Sequence, residues 1–262
     1  MADPAPRPSN ELRTRIGIGL ALIAVAIGAL LAGGAIFWIL VSVAGLLMQA
    51  EWADLAEAPA QNKRLSLFAI SVPLAILSPF AAGVSFLAFA LMAAAFLFVA
   101  IVCRSVRLGA GIYYVGLPIL ALLFLREQPD GLLFALWALG TVWATDIGAY
   151  FAGRRFGGPK LAPAVSPSKT WSGLAGGVFA ALLLGYALHH WLALPEHLAA
   201  ASGLLAAIAQ LGDLFESWLK RRAGVKDSGT LLPGHGGVLD RLDGVVAAVP
   251  VAALFVLSGY AI

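Results

Sequence analysis

Residues 16–50 form an almost wholly apolar run, and its length decides what it can become. As one helix its 35 residues would reach about 52 Å at 1.5 Å per residue, against a hydrocarbon core of roughly 30 Å. A hairpin of two spans is the better solution, with the turn at Gly33-Gly34. Residues 65–103 pose the same problem and break at Ser78-Pro79, because proline interrupts a helix and restricts the residue before it. The runs at about 108–125, 131–152, 171–193, 197–219 and from 243 onward each suit a single span. The expected fold is all-α: a polytopic membrane protein of about nine transmembrane helices.

Composition closes off the soluble alternative. The chain is 61% hydrophobic and 12% charged, where soluble domains are about half apolar and about a quarter charged. Residues 1–15 read as a polar cytoplasmic tail and 16–262 as one membrane-embedded domain. The apolar run after the tail is far longer than a signal-peptide core, so no cleavable signal is expected. A single cysteine, Cys103, excludes an internal disulfide framework and a cysteine-only zinc site. The net charge of +3 fits cytoplasmic loops facing anionic lipid better than a nucleic-acid surface.

Charge placement sets the orientation. Nine spans put the N-terminal tail and the even-numbered connections on one face. That face then holds 16 of the 17 Lys and Arg residues, leaving Arg126 on the other. The basic face is the cytoplasmic one, so the N-terminus is expected inside. The two most charged connections, 153–170 and 220–242, then face the cytoplasm.

The candidate chemistry lies at the same face. Asp213 and Glu216 stand at i and i+3 at the end of the eighth span, on one helix face with Gln210, Ser217 and Lys220. A carboxylate inside a membrane helix costs about 2.5–3.5 kcal/mol on insertion scales, so each should face a polar cavity or pair with Lys220 or Arg221. Asp146, in WATDIGAY, either lines the same cavity or pairs with Arg154 or Arg155.

The segment SGTLLPGHGGVLDRLD follows the eighth span. Its glycines, including Gly236 and Gly237, permit close backbone approach, and their N–H groups could form an anion nest. His235 between them is expected to donate to phosphate. Asp240 could complete a cation site with Asp213, since Mg²⁺ takes one or two carboxylates and fills its shell with water and phosphate oxygens. The plainer alternative is a turn with solvated charges.

In SPSKT, residues 166–170, Pro167 fixes a turn while Ser166, Ser168, Lys169 and Thr170 offer hydroxyls and a cation beside a helix start. Ser168 or Thr170 could equally be only an N-cap.

At these residues the chain resembles the phosphatidate cytidylyltransferase (CDP-diacylglycerol synthase) family. The signature reads Ser217, Lys220-Arg221, Lys226-Asp227, Pro233, His235-Gly236-Gly237, Asp240-Arg241 and Asp243. GDLFES at 212–217, TDIGAYFAGRRFG at 145–157 and SPSKTW at 166–171 also fit, whereas the first 110 residues match only as apolar spans. Ser172 departs from the pattern, in a place where many relatives carry glutamate.

The resemblance implies conversion of CTP and phosphatidate to CDP-diacylglycerol and pyrophosphate at the inner face of the cell membrane. It implies Mg²⁺ on Asp213 and Asp240, with Asp146 and Asp243 as further metal candidates. Lys226, Asp227 and Arg241 would join the two aspartates in catalysis. Ser166, Lys169, Thr170, Ser217, Lys220, Arg221, His235, Gly236 and Gly237 would bind substrate. The expected partners are CTP, phosphatidate and membrane lipid, with a homodimer allowed and no nucleic acid. A CTP-dependent lipid-alcohol kinase and a transporter with an intramembrane ion site are the rival readings.

Overall fold

The structure is a computed structural model that describes residues 8–231 and 236–259. Among these, nine helices follow one another: α1 (Pro8–Ala32), α2 (Gly34–Leu55), α3 (Ala60–Ile76), α4 (Phe86–Val102), α5 (Val106–Glu127), α6 (Gly131–Phe156), α7 (Trp171–Leu192), α8 (Glu196–Arg222) and α9 (Leu239–Gly259). Their positions follow the apolar runs, although α1 begins at Pro8, within the segment read as a polar tail. Six of them, α2 and α5 to α9, are long and apolar enough to cross a membrane. The 17-residue α4 and the Ala21–Ala32 part of α1 are shorter apolar helices. The chain is a multi-pass membrane protein.

One expectation of a purely helical fold needs correction. SPSKT is not a turn. It forms strand β2 (Ser166–Thr170), paired antiparallel with β1 (Lys160–Ala162) through Lys160↔Thr170 and Ala162↔Ser166. Proline is tolerated because each strand of a two-stranded ribbon has a free edge, where a missing N–H breaks no ladder bond.

The break after α1 is built where the glycine pair stands. Gly33 and Gly34 have φ of 64° and 50°, a conformation costly for other residues. Arg126, at the end of α5, reaches across to donate Nε to the Leu30 carbonyl at 2.9 Å and Nη2 to that of Leu31 at 3.3 Å. It thus satisfies carbonyls that the end of α1 leaves open.

Helix seams depend on small residues, which let backbones approach in a lipid environment that gives helices no hydrophobic reason to associate. Along α6 and α7, a Cβ on Gly176 would meet the Gly148 carbonyl oxygen at 2.9 Å. Between α8 and α9, a Cβ on Gly212 would sit 2.6 Å from the Asp243 carbonyl oxygen. Trp137 is fully buried and donates Nε1 to Ser202 Oγ at 2.9 Å, joining α6 to α8.

Further polar contacts fix which helix ends meet. Trp52 Nε1 donates to the Arg107 carbonyl at 2.9 Å, and Arg107 Nη2 returns a bond to the Leu55 carbonyl at 2.6 Å. With Lys169 on Asp213, Lys220 on Asp240 and Gly153 of α6 against Thr170, where a Cβ would meet Oγ1 at 3.0 Å, these contacts gather six helix ends. The C-terminal ends of α2, α6 and α8 meet the N-terminal ends of α5, α7 and α9 at one end of the bundle.

Candidate active site

A cleft of about 460 Å³ opens at that end, walled by α6, β2, the first turn of α7 and α8. Asp146, Ser168, Lys169, Gln210 and Asp213 line it. Lys169 sits at its centre, with Nζ 2.5 Å from Asp213 Oδ2 and 3.0 Å from Gln210 Oε1. Asp213 Oδ1 accepts a long 3.3 Å bond from Ser217 Oγ, one turn further along α8. Asp146 is exposed in the cleft and does not take the arginine partner it was offered: Arg154 Nη1 donates instead to Tyr150 Oη at 2.7 Å.

The hairpin places Lys169, and α7 anchors the hairpin. Thr170 caps α7, its Oγ1 accepting the Gly173 N–H at 3.1 Å, so the helix-capping alternative holds for this residue even though it also lines the cleft. Ser172, the departure from the family pattern, donates Oγ to the Gly157 carbonyl and closes the base of the same connection. Ser166 lies at the far end of β2, paired with Ala162, outside the cleft lining.

A second group of charges occupies the α8–α9 junction. Asp240 Oδ1 lies 2.5 Å from Lys220 Nζ. Its Oδ2 accepts from Ser228 N at 2.8 Å, Ser228 Oγ at 2.9 Å and Gly237 N at 2.8 Å. Lys220 Nζ is also 3.4 Å from Glu216 Oε1, whose side chain is completely buried. In this structure the two aspartates expected to share a cation have separate partners. Asp213 is held by Lys169 and Ser217 in the cleft, whereas both oxygens of Asp240 are engaged by Lys220 and the backbone of its own loop.

Glu51 completes this junction, and sequence reasoning missed it. It stands near the end of α2, only 6% exposed. Oε1 accepts the Val238 N–H at 2.8 Å, and Oε2 accepts Leu239 N–H at 2.8 Å and Ser228 Oγ at 3.1 Å. Part of the anion nest expected at the glycine turn is thereby engaged from within, while residues 232–235 of that turn lie outside the described residues. The N–H groups of Gly237, Val238 and Leu239 go to Asp240 and Glu51. The glycine at 237 makes room, since a Cβ there would lie 2.6 Å from Glu51 Cδ. The one sequence signal was a charged residue, preceded by Gln49, at the end of an apolar helix.

The remaining expected residues are more scattered. Arg221, Lys226 and Asp227 are exposed at the end of α8 and just beyond it, and Arg241 is exposed on the first turn of α9. Gly236 is half-buried with φ of 82°. His235 lies outside the described residues.

The donor set suits a hard divalent cation. Asp146, Asp213 and Asp243 lie within electrostatic reach of one another, and Lys169 already lays a cation on Asp213. No group of three metal-binding side chains is preassembled among the described residues. Mg²⁺ does not need one, because it usually takes one or two carboxylates plus water and phosphate oxygens.

Comparisons with known proteins converge on one family. A model of the cytidylyltransferase family matches residues 13–258. The chain is 40% identical over 252 residues to the phosphatidate cytidylyltransferase of Brucella suis, covering 94% of this chain and 93% of that one. It is 39% identical over 270 residues to the phosphatidate cytidylyltransferase of Pseudomonas aeruginosa, covering 95% and 98%. A protein of the same name from Haemophilus influenzae is 48% identical over 139 residues, about half of each chain. With the match running through nearly every described helix and the cleft at their shared end, this chain belongs to the cytidylyltransferase family.

Proposed function

We propose that this protein is a membrane-embedded phosphatidate cytidylyltransferase, which makes CDP-diacylglycerol and pyrophosphate from CTP and phosphatidate. The observation that carries the reading is the cleft at one end of an apolar bundle, where Lys169 sits on Asp213 beside Asp146. It offers cationic and oxygen ligands to phosphate chemistry at a depth that a lipid headgroup can share. The whole-length likeness to proteins of that name supports the same substrates.

The reaction forms a bond between a phosphatidate phosphate oxygen and the α-phosphorus of CTP. The bond from that phosphorus to the oxygen bridging to the β-phosphate breaks, and pyrophosphate leaves with its electron pair. The attacking oxygen is already anionic, so no strong base is required. Catalysis is then positioning and neutralisation of crowded negative charge. Asp213, with Asp146 and Asp243, would hold Mg²⁺, which when bound supplies Lewis-acid neutralisation of the nucleotide phosphates. Lys169, which pairs with Asp213 in the cleft, would bind phosphate there. Lys220, held between Asp240 and Glu216, presents a second ammonium, and Arg221, Lys226 and Arg241 add positive charge at the rim. Asp240 orders Lys220 and the loop.

We place the site on the cytoplasmic side of the inner membrane, with the N-terminus inside and all nine helices crossing. The charge asymmetry along the chain supports this. The 17-residue α3 and α4 reach about 26 Å each and would need their flanking turns to span.

The test supplies purified protein in mixed micelles with CTP and Mg²⁺, then compares phosphatidate, a polyprenol and no lipid. Pyrophosphate and CDP-diacylglycerol in equal amounts with phosphatidate alone is the expected result. Release of CDP with phosphorylation of the polyprenol would overturn the assignment.

A further inference from the structure

The Glu51 carboxylate makes three hydrogen bonds to a segment 177 residues or more further along the chain. Its partners are the N–H groups of Val238, just before α9, and Leu239, its first residue, and the hydroxyl of Ser228, which follows α8. Ser228 Oγ lies between two carboxylates, 3.1 Å from Glu51 Oε2 and 2.9 Å from Asp240 Oδ2. Glu51 thus holds both ends of the α8–α9 connection at once. The loop backbone has room for it: a Cβ on Gly229 would stand 2.9 Å from Glu51 Oε1. An anionic group at the start of α9 is also favoured by the helix dipole.

We infer that Glu51 is a positioning residue of the active site, setting the placement of α9 and hence of Asp240 and Asp243 for binding of the metal–nucleotide. This rests on the proposed cytidylyltransferase reading. A carboxylate anchored on α2 fixes where the first turn of α9 begins. Asp240 in that turn holds Lys220 at 2.5 Å, and Asp243 one turn later lies within electrostatic reach of Asp213. A shift of α9 by a fraction of its rise per residue would move both aspartates relative to α8. The phosphatidate tail enters from the lipid between helices and should be indifferent to this shift, whereas the nucleotide with its metal should not.

Glu51→Gln is the informative change. It keeps the volume, but the amide nitrogen must face either Val238 N–H or Leu239 N–H, two donors end to end. Three readouts on the full-length protein in micelles separate the outcomes. Hydrogen exchange of the peptide containing Val238 and Leu239 reports the clamp without chemistry. Calorimetric titration with CTP and Mg²⁺ reports nucleotide affinity without lipid. Steady-state rates give KM for each substrate. We expect exchange to accelerate at least tenfold, CTP affinity to fall at least tenfold, and KM for phosphatidate to stay within twofold. A double variant with Ser228→Ala should lose no more affinity than the worse single variant, because both cut the same clamp.

Faster exchange with unchanged CTP affinity would reduce Glu51 to a purely structural tie and overturn the inference. So would unchanged exchange, or equal losses for both substrates. A wild-type protein that binds CTP but never transfers it to phosphatidate would sink the proposed reaction instead, and the exchange and titration arms would still decide the role of Glu51.

Discussion

Asp240→Asn is the change whose cost can be worked most fully from the structure. The carboxylate takes four hydrogen bonds, one from Lys220 at Oδ1 and three from Ser228 and Gly237 at Oδ2. Asparagine keeps one acceptor oxygen and replaces the other with a donor. If its nitrogen turns to the loop, the N–H groups of Ser228 and Gly237 lose their acceptor, at about 1–3 kcal/mol each. If it turns to Lys220, the ammonium keeps only Glu216 at 3.4 Å, and breaking a buried pair costs about 3–5 kcal/mol. Little solvent screens either arrangement, because the Asp240 side chain is 5% exposed and that of Lys220 12%. The cheaper choice therefore costs about 3 kcal/mol. For a chain of this size that is a Tm lowered by about 6–12 °C. Thermal unfolding of wild type and variant, followed by tryptophan fluorescence in the same detergent, reads it directly. A Tm within 2 °C of wild type would refute the reasoning, since it would mean that the donors around Asp240 are satisfied without it.

The other expectations are simpler. Gly176→Leu should abolish monodisperse protein on size exclusion, because its Cβ alone would meet the Gly148 carbonyl at 2.9 Å, whereas Gly28→Ala, with nothing within 4 Å, should elute as wild type. Lys169→Met keeps most of the side-chain volume but removes the cation on Asp213. It should raise KM for CTP at least tenfold with KM for phosphatidate little changed, measured by pyrophosphate release. A cysteine at exposed Ala164, in a background carrying Cys103→Ser, should react with a membrane-impermeant maleimide in inverted vesicles and not in intact spheroplasts; the opposite pattern would reverse the proposed orientation.

The helix positions and the multi-pass class were legible because they follow from length and hydropathy. The Gly33-Gly34 break is a case in point, where a run too long for one span had one place to turn and the backbone turns there. Asp213 could be named because charge in an apolar helix is costly and so stands out, and Lys169 because SPSKT sets a cation and hydroxyls beside a helix start. The hairpin was not legible, since KLAPAVSPSKT lacks the alternation of a buried sheet face, and a two-stranded ribbon needs none. Glu51 was hidden for another reason. Its partners are backbone N–H groups far along the chain, and no side-chain pattern marks them. The same holds for the glycine turn: counting glycines suggests a nest for phosphate, but only the folded arrangement reveals that the N–H groups of Gly237, Val238 and Leu239 go to two carboxylates.

The central claim is that aspartates at the shared end of α6, α8 and α9 hold the cation that carries CTP. Initial rates of phosphatidate-dependent pyrophosphate release by Asp213→Asn across a Mg²⁺ titration test it most directly. The account predicts a rate at least 100-fold lower, in the range lost when one electrostatic contact to the transition state is removed, ~10²–10³, with a higher Mg²⁺ requirement. A near-normal rate at the wild-type Mg²⁺ concentration would contradict it.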